Sequence, residues 1–126
     1  MERANITEPT ILLNLKQLYR PGMSGNQLYD TTRGVWKVSR ERASRAAFAA
    51  AVVDGKILQI YTIQEWYPAN TGPPYLSGRQ DQSEPRYAKR FEFTGRDAPS
   101  EIKDKYLGLS VEHLMGGQNP VRYLNC

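Results

Sequence analysis

Hydrophobic and polar positions are arranged most clearly in the middle of the chain, where two neighbouring segments predict strands. Residues 56–66 (KILQIYTIQEW) are rich in β-branched and aromatic residues, and they follow Asp54-Gly55, a dipeptide typical of two-residue hairpin turns. Because such a turn needs a strand on either side, we predict that Ala47–Val53 and Lys56–Glu65 form a hairpin. The alanines of residues 46–53 also suit a helix. Both faces of the second strand are largely apolar, as in a strand packed on two sides.

The other predicted elements are short. Thr10–Tyr19 is predicted as a strand, although its apolar spacing also fits a helix. Ser24 is a good N-cap for a helix over Gly25–Thr32 that stops at Gly34. The remaining predictions are a strand over Tyr87–Phe93, a helix capped by Ser100 and running to about Tyr106, a helical or turn segment at Val111–Met115 and a last strand over Pro120–Asn125.

These elements predict an α+β domain with a small curved or barrel-like β-sheet and two or three short helices. Residues 1–9 are polar and are expected to form a flexible N-terminus, which leaves residues 10–126 as a single domain. Residues 68–85 hold four prolines and two glycines. A loop this long in a small domain is either a binding loop or disordered.

Composition limits the class of protein only modestly. The chain has 126 residues, a net charge of +4 and a pI near 9.3, which favours an anionic partner. Its one cysteine, Cys126, excludes an internal disulfide and a cysteine-cluster zinc site and suits a reducing compartment. No apolar run reaches membrane-spanning length. We therefore expect a soluble cytoplasmic protein with no membrane partner, no metal and no cofactor.

Two basic clusters indicate where an anion would bind. The stretch TTRGVWKVSRERASR at residues 31–45 holds five basic residues opposed only by Glu41, and a second cluster comprises Arg86, Lys89, Arg90 and Arg96. If both clusters lie on one side of the sheet, they form a groove that neutralises phosphates. Two solvated faces pointing in different directions are an equal alternative. The predicted phosphate-binding residues are Arg33, Lys37, Arg40, Arg90 and Arg122.

Aromatic and amide side chains supply the candidate base-binding residues. Trp36 has polar or small neighbours, so its burial would draw charge inward at high cost, and an indole near cations suits stacking on a base. Trp66 is a second candidate, although core packing explains it at least as well. Ser39, Gln118 and Asn119 would hydrogen-bond a base edge. Asn119 equally suits a turn cap before Pro120.

The sequence contains few residues that indicate catalysis. His113 is the single histidine of the chain, and a lone histidine is a weak indication of general-base chemistry. Glu65, Glu92 and Asp97 could supply paired carboxylates, but solvated rim positions explain them as well. No residue is nominated as a nucleophile, so we predict no catalytic residues and favour a binding protein over an enzyme.

The segment Gly34-Val35-Trp36 with Ser39 resembles the start of YTH and EVE domains of the PUA-like superfamily. That resemblance implies a PUA-like fold and a tryptophan, here Trp36, that forms one wall of an aromatic cage for a modified base. Most of the chain is also similar to an uncharacterised bacterial and phage domain that is sometimes attached to GIY-YIG nuclease domains. This second resemblance implies DNA rather than RNA as ligand, a restriction or defence context and a nuclease partner.

The resulting hypothesis is a nucleic-acid-binding module that reads a modified or flipped base. Three alternatives remain open: a binder of a small nucleotide or nucleotide-derived signal, a nuclease-associated enzyme that uses Glu65, Glu92 or His113, and a protein–protein adaptor. Whether Trp36 lines a concave pocket is the observation that bears most directly on the hypothesis.

Overall fold

The computed structural model describes residues 2–77 and 89–126, and within them the chain forms five strands and three α-helices. In chain order these are β1 (Thr10–Asn14), α1 (Gly25–Arg33), α2 (Arg40–Ser44), β2 (Phe48–Val53), β3 (Lys56–Pro68), β4 (Phe91–Asp97), α3 (Ser100–Tyr106) and β5 (Val121–Leu124), with a single 3₁₀ turn at Glu112–Leu114 between α3 and β5.

The five strands form one mixed sheet in the order β4-β3-β2-β1-β5. β1 and β2 are parallel, while the other neighbouring pairs are antiparallel. A parallel pair needs a long crossover connection, and here α1 and α2 lie in the segment that joins β1 to β2. The expected α+β class is therefore confirmed. The sheet is open and curled, with β4 and β5 as its two edge strands.

The predicted hairpin is confirmed. β2 and β3 pair from Val53 and Lys56 at the turn to Phe48 and Thr62, and Asp54 and Gly55 both have positive φ, 52° and 74°, as a type I′ turn requires. The alternative of a helix through the alanines of residues 46–53 is wrong, because the helical segment before them, α2, ends at Ser44. Beyond it, alanine side chains of β2 are buried on both faces of the sheet, where their small size permits close packing.

Two hydrophobic clusters cover the two faces of the sheet, because successive strand residues point to opposite sides. The first cluster includes Ile11, Leu13, Ala49, Ala51, Tyr61, Phe93, Trp36 and Trp66, and the second includes Leu12, Ala50, Val52, Ile57, Ile60, Tyr106 and Val111. The expectation of a strand packed on both sides is met by β3, whose Ile60 and Tyr61 belong to different clusters. No helix in the described ranges has both the length and the apolarity to cross a membrane.

The N-terminal residues make regular contacts with a part of the chain that is distant in sequence. Ala4 N donates to Ser110 O at 2.8 Å, and Ser110 N donates to Glu2 O at the same distance. The Glu8 carboxylate accepts hydrogen bonds from Tyr106 Oη at 2.6 Å and from Lys105 Nζ at 3.1 Å. Residues 2–9 are therefore held against the segment that contains α3 and the 3₁₀ turn.

The predicted boundaries of β1, α3 and β4 are among those that differ from the observed ones. β1 ends at Asn14 because the carbonyl of Leu15 accepts hydrogen bonds from the N–H groups of Leu18 and Tyr19, which starts a turn. The N-cap of α3 is Pro99, with no side-chain cap, so Ser100 is the first helical residue. β4 runs from Phe91 to Asp97. Residues 78–88, with Arg86, Tyr87 and part of the proline-rich loop, lie outside the described ranges.

Glu8 makes stability depend on pH in a predictable direction. The hydrogen bond from Tyr106 and then the bond to Lys105 hold the pKa of the Glu8 carboxyl below its ordinary value of 4.5. A depressed carboxyl pKa stabilises the folded state above the unfolded pKa, and this contribution is lost as pH falls through the folded pKa. The stabilities of wild type and Glu8→Gln in urea denaturation should therefore differ by more at pH 7 than at pH 3. An unchanged difference at both pH values would contradict this linkage.

Candidate functional site

Residues 35–39 connect the two edge strands of the sheet, and we call them the strap. Trp36 N donates to Phe91 O at 2.8 Å, and Phe91 N donates back to Trp36 O at 2.9 Å, which ties the strap to the start of β4. At its other end Ser39 N donates to Tyr123 Oη at 2.8 Å, which ties the strap to β5. The strap therefore lies across the gap between β4 and β5.

A cleft lies between the strap and the turns that follow β1 and precede β5. It consists of two overlapping depressions with volumes of about 630 and 660 Å³. Both are lined by Leu18, Trp36, Arg90, Asn119 and Pro120. We call this feature the strap cleft. One depression adds Asn14, Lys16, Gln17, Met115, Gly117 and Gln118, and the other adds Val35, Lys37, Val38, Ser39 and Val121.

The charges that line the strap cleft are all positive among the described residues. Lys16, Lys37 and Arg90 contribute cations, and no aspartate or glutamate lines either depression. A group of cations without a carboxylate beside it in the lining of a concave site raises the local concentration of anions. The cleft is therefore suited to an anionic ligand.

Many of the predicted site residues meet in this cleft although they are distant in sequence. Of the predicted base-binding and phosphate-binding residues, six line it: Trp36, Lys37, Ser39, Arg90, Gln118 and Asn119. The observation singled out from the sequence, that Trp36 borders a concave pocket, holds in the structure.

The expectation that Trp36 stays out of the core is wrong. Its side chain is only 5% exposed and belongs to the first hydrophobic cluster, and its Nε1 donates to Thr32 O at 2.7 Å. Burial draws in no unpaired charge, because Lys37 faces solvent and Arg33 has internal partners. The indole thus contributes part of the cleft wall from the core and does not offer a free stacking face.

Arg33 is an interior residue, so the structure contradicts its assignment to phosphate. Its side chain is 1% exposed. Nε donates to Phe93 O at 2.7 Å, Nη1 to Pro73 O at 3.1 Å, and Nη2 lies 3.5 Å from Glu92 Oε2. The guanidinium also lies 4.0 Å from the centre of the Tyr75 ring. These contacts occupy the donors that a phosphate would need.

Two buried carboxylates fix residues 69–77, which we call the anchored loop. Glu92 accepts hydrogen bonds from Asn70 N, Gly72 N and Tyr75 Oη at 2.9, 3.2 and 3.0 Å. Asp30, on α1, accepts from Leu76 N at 2.9 Å and from Ser77 N at 2.6 Å. The first part of the predicted long loop is therefore an ordered structural segment. Sequence reasoning treated Glu92 as a rim residue and did not consider Asp30.

The other predicted site residues lie outside the strap cleft. Trp66 is a core residue, as its alternative assignment proposed, and its Nε1 donates to Ala43 O at 3.1 Å. Arg40 is exposed, with its guanidinium 5.8 Å from the Phe91 ring centre. Arg122 donates from Nη1 to Val121 O at 3.1 Å.

Two of the predicted cleft residues also have local structural roles. Ser39 Oγ accepts from Arg42 N at 3.3 Å and so caps α2. Asn119 Oδ1 accepts from Val121 N at 3.0 Å, the turn cap that its alternative assignment proposed.

Three polar cleft residues were not predicted: Asn14, Lys16 and Gln17. They were assigned to a strand over Thr10–Tyr19, whereas they belong to its end and the turn that follows. The alternation of Ile11, Leu13 and Leu15 ends at Lys16-Gln17, where two polar residues are consecutive, and this is the signal that could have placed Lys16 in a loop.

The carboxylates and the histidine considered for catalysis have separate surroundings. His113 Nε2 lies 3.2 Å from Ala4 O, and Glu65 accepts a hydrogen bond from the Tyr67 hydroxyl at 2.8 Å. That bond raises the pKa of Tyr67. Within residues 2–77 and 89–126, no group of three or more His, Cys, Asp or Glu side chains is placed to hold a metal ion.

A second, smaller cleft of about 350 Å³ lies between α1 and the β3–β4 pair, where Tyr29, Tyr61, Arg96 and Asp97 are among its lining residues. Tyr29 Oη accepts from Gly95 N at 2.9 Å, and burial raises the pKa of Tyr61. Among the described residues, this cleft is lined by one cation, Arg96, and one anion, Asp97, whereas the charged residues of the strap cleft are all cations. We therefore take the strap cleft as the candidate functional site.

The chain matches no protein-family model, and comparisons with curated proteins and with solved structures found no match either. Functional inference consequently depends on the geometry and chemistry of the strap cleft.

Replacement of Arg33 should destabilise the fold strongly. Arg33→Met leaves the Glu92 carboxylate buried without its cation, and loss of one partner of a buried pair costs about 3–5 kcal/mol. Arg20→Met is the matched control, because Arg20 is exposed and such changes stay within about 0.5 kcal/mol. The measurement is the free energy of unfolding in urea. Equal stabilities of the two variants would show that Arg33 is not an interior residue.

Trp36→Ala should also lower stability, by about 3–5 kcal/mol, as expected for loss of a buried tryptophan. Leu76→Ala serves as the control, since Leu76 is 60% exposed, and we expect its unfolding free energy to remain near that of wild type. A Trp36→Ala protein as stable as wild type would place the indole outside the core.

Proposed function

We propose that this protein is a nucleic-acid-binding module that holds a base in the strap cleft and the adjoining phosphates against Lys16, Lys37 and Arg90. The observation that carries the proposal is the combination of three cations and no carboxylate in the described lining of a cleft that also contains apolar and amide side chains. Nucleic acid is the common biological ligand that requires all three kinds of contact.

The apolar part of the cleft lining supports a base as occupant. Leu18, Pro120 and the buried indole of Trp36 lie beside the side-chain amides of Gln118 and Asn119. Apolar surface suits the flat face of a base, and amides suit its edge. The two depressions, with volumes of about 630 and 660 Å³, are within the size range of small-ligand pockets. A single unstacked base therefore fits this space.

The finer features of the proposal are a PUA-like fold, a modified or flipped base and a bacterial or phage DNA-modification or defence context with a nuclease partner. The fold and the base derive from the resemblance of Gly34-Val35-Trp36 and Ser39 to YTH and EVE domains, and the context and the nuclease partner derive from the similarity of most of the chain to an uncharacterised bacterial and phage domain. That Val35, Trp36 and Ser39 belong to the strap and line the cleft supports the proposals on the fold and the base. A single-stranded ligand or a flipped base would reach the cleft, whereas a paired base in a duplex would not.

The second candidate function is binding of a free nucleotide or nucleotide-derived signal. The limited size of the cleft favours it, because one small anionic ligand could contact all three lining cations.

Salt dependence tests the nucleic-acid proposal. We expect a short labelled single strand to bind with a slope of log affinity against log salt of about −2, since each neutralised phosphate on a single strand contributes about −0.7. Lys37→Gln and Arg90→Gln should each reduce the slope by about 0.7. The measurement is fluorescence anisotropy between about 50 and 200 mM salt.

Lys56→Gln is the charge-matched control for this experiment, because Lys56 is exposed in the β2–β3 turn and does not line the cleft. Its slope should equal that of wild type. Absence of binding to DNA and RNA strands would refute the proposal, and tight, salt-insensitive binding of a mononucleotide in place of strands would establish the second candidate.

A further inference from the structure

The orientation of two asparagine side chains determines the hydrogen-bonding character of the strap cleft. Asn14 Oδ1 accepts from Lys16 N at 3.1 Å, and Asn119 Oδ1 accepts from Val121 N at 3.0 Å. A backbone N–H only donates, so each amide must turn its oxygen toward the backbone. The NH₂ group of each asparagine is then left as a donor, and within the described residues neither NH₂ group has a hydrogen-bond partner.

The charged side chains of the cleft are donors as well. The ammonium groups of Lys16 and Lys37 and the guanidinium of Arg90 carry only N–H donors. Together with the two oriented asparagines, they place donors on both the strap side and the opposite side of the cleft.

Two backbone acceptors near the cleft are already engaged. The carbonyl of Trp36 accepts from Phe91 N at 2.9 Å, and the carbonyl of Pro120 accepts from Asn14 N at 2.9 Å. No carboxylate is among the described lining residues. Gln17 and Gln118 retain both donor and acceptor capacity, but nothing fixes which end faces the ligand. The polar side chains whose orientation these backbone contacts fix, Asn14 and Asn119, therefore present donors to the cleft.

We infer that the strap cleft selects bases with an acceptor-rich edge, meaning the carbonyl groups of uracil and thymine or the O6 and N7 atoms of guanine, over the amino-bearing edges of cytosine and adenine. This inference rests on the proposed nucleic-acid function and names its substrate class. An exocyclic amino group would place a donor against a donor, which leaves both groups unpaired and costs affinity.

Matched strands that differ only in the base edge test this selection. Deoxyuridine and deoxycytidine oligonucleotides of equal length share sugar and phosphate, so their salt-dependent contributions cancel in the ratio of affinities. We expect the deoxyuridine strand to bind about tenfold more tightly. A strand with hypoxanthine should likewise exceed the same strand with adenine.

Asn119→Asp tests the role assigned to the asparagine donors. An aspartate keeps an oxygen for Val121 N and replaces only the NH₂ group by an acceptor, so the turn should be preserved. We expect the tenfold ratio to fall to near one in Asn119→Asp and to decrease in Asn14→Asp, with thermal melting used to verify that both variants are folded. Asn26→Asp, in the second cleft, adds the same charge elsewhere and should keep the wild-type ratio.

The outcomes separate this inference from the proposed function. Equal binding of the uracil and cytosine strands would overturn the base selection and leave nucleic-acid binding intact. A wild-type ratio in both Asn119→Asp and Asn14→Asp would overturn the assignment to these donors. Binding of neither strand would refute the proposed function and this inference together.

Discussion

The ion pair between Arg33 and Glu92 is the interaction on which the region around the strap cleft depends. Its partners come from the end of α1 and from β4, and both side chains are 1% exposed. Desolvation of two charges is expensive unless further hydrogen bonds compensate it. Here the arginine donates to two backbone carbonyls, and the glutamate accepts from three groups of the anchored loop.

This buried pair accounts for two glycines nearby. A Cβ at Gly34 would lie 2.7 Å from Glu92 Cβ and from Tyr75 Oη, and a Cβ at Gly72 would lie 2.8 Å from Glu92 Oε2. Any larger residue at either position would displace the carboxylate or the groups that bind it. Because Gly34 begins the turn into the strap and Phe91, next to Glu92, pairs with Trp36, the ion pair also determines where the strap lies.

Local signals predicted the parts of the fold that are formed by neighbours in sequence. The hairpin at Asp54-Gly55 followed from a dipeptide that tolerates positive φ, and α1 followed from Ser24, whose capping box with Gln27 is present. The convergence of Trp36, Arg90 and Asn119 on one cleft joins residues that were predicted for one site, whereas Trp66 and Arg122 of the same prediction lie outside it. Its geometry could not be derived, since it depends on the open, curled shape of the sheet.

The failures concern burial, which depends on partners distant in sequence. Arg33 was assigned to the surface because its counter-charge, Glu92, lies 59 residues further along the chain. Trp36 was kept out of the core because its neighbours in sequence are polar, yet its packing partners come from other strands. Charge and composition count residues but do not specify which ones meet. The two family resemblances are likewise based on sequence motifs. The chemistry of the cleft depends on how the fold brings distant residues together.

The side chains along the outer edge of β4 also affect how the protein meets copies of itself. An edge strand normally exposes backbone groups that can pair with a strand of another molecule. On β4, Phe91 is paired with the strap, the carbonyl of Phe93 accepts from Arg33, and the N–H of Gly95 donates to Tyr29 Oη. Three alternate residues of the edge thus have internal partners. Arg33, which the sequence analysis assigned to phosphate, is thus an interior residue that occupies one acceptor on this edge and so helps to protect the molecule from edge-to-edge aggregation.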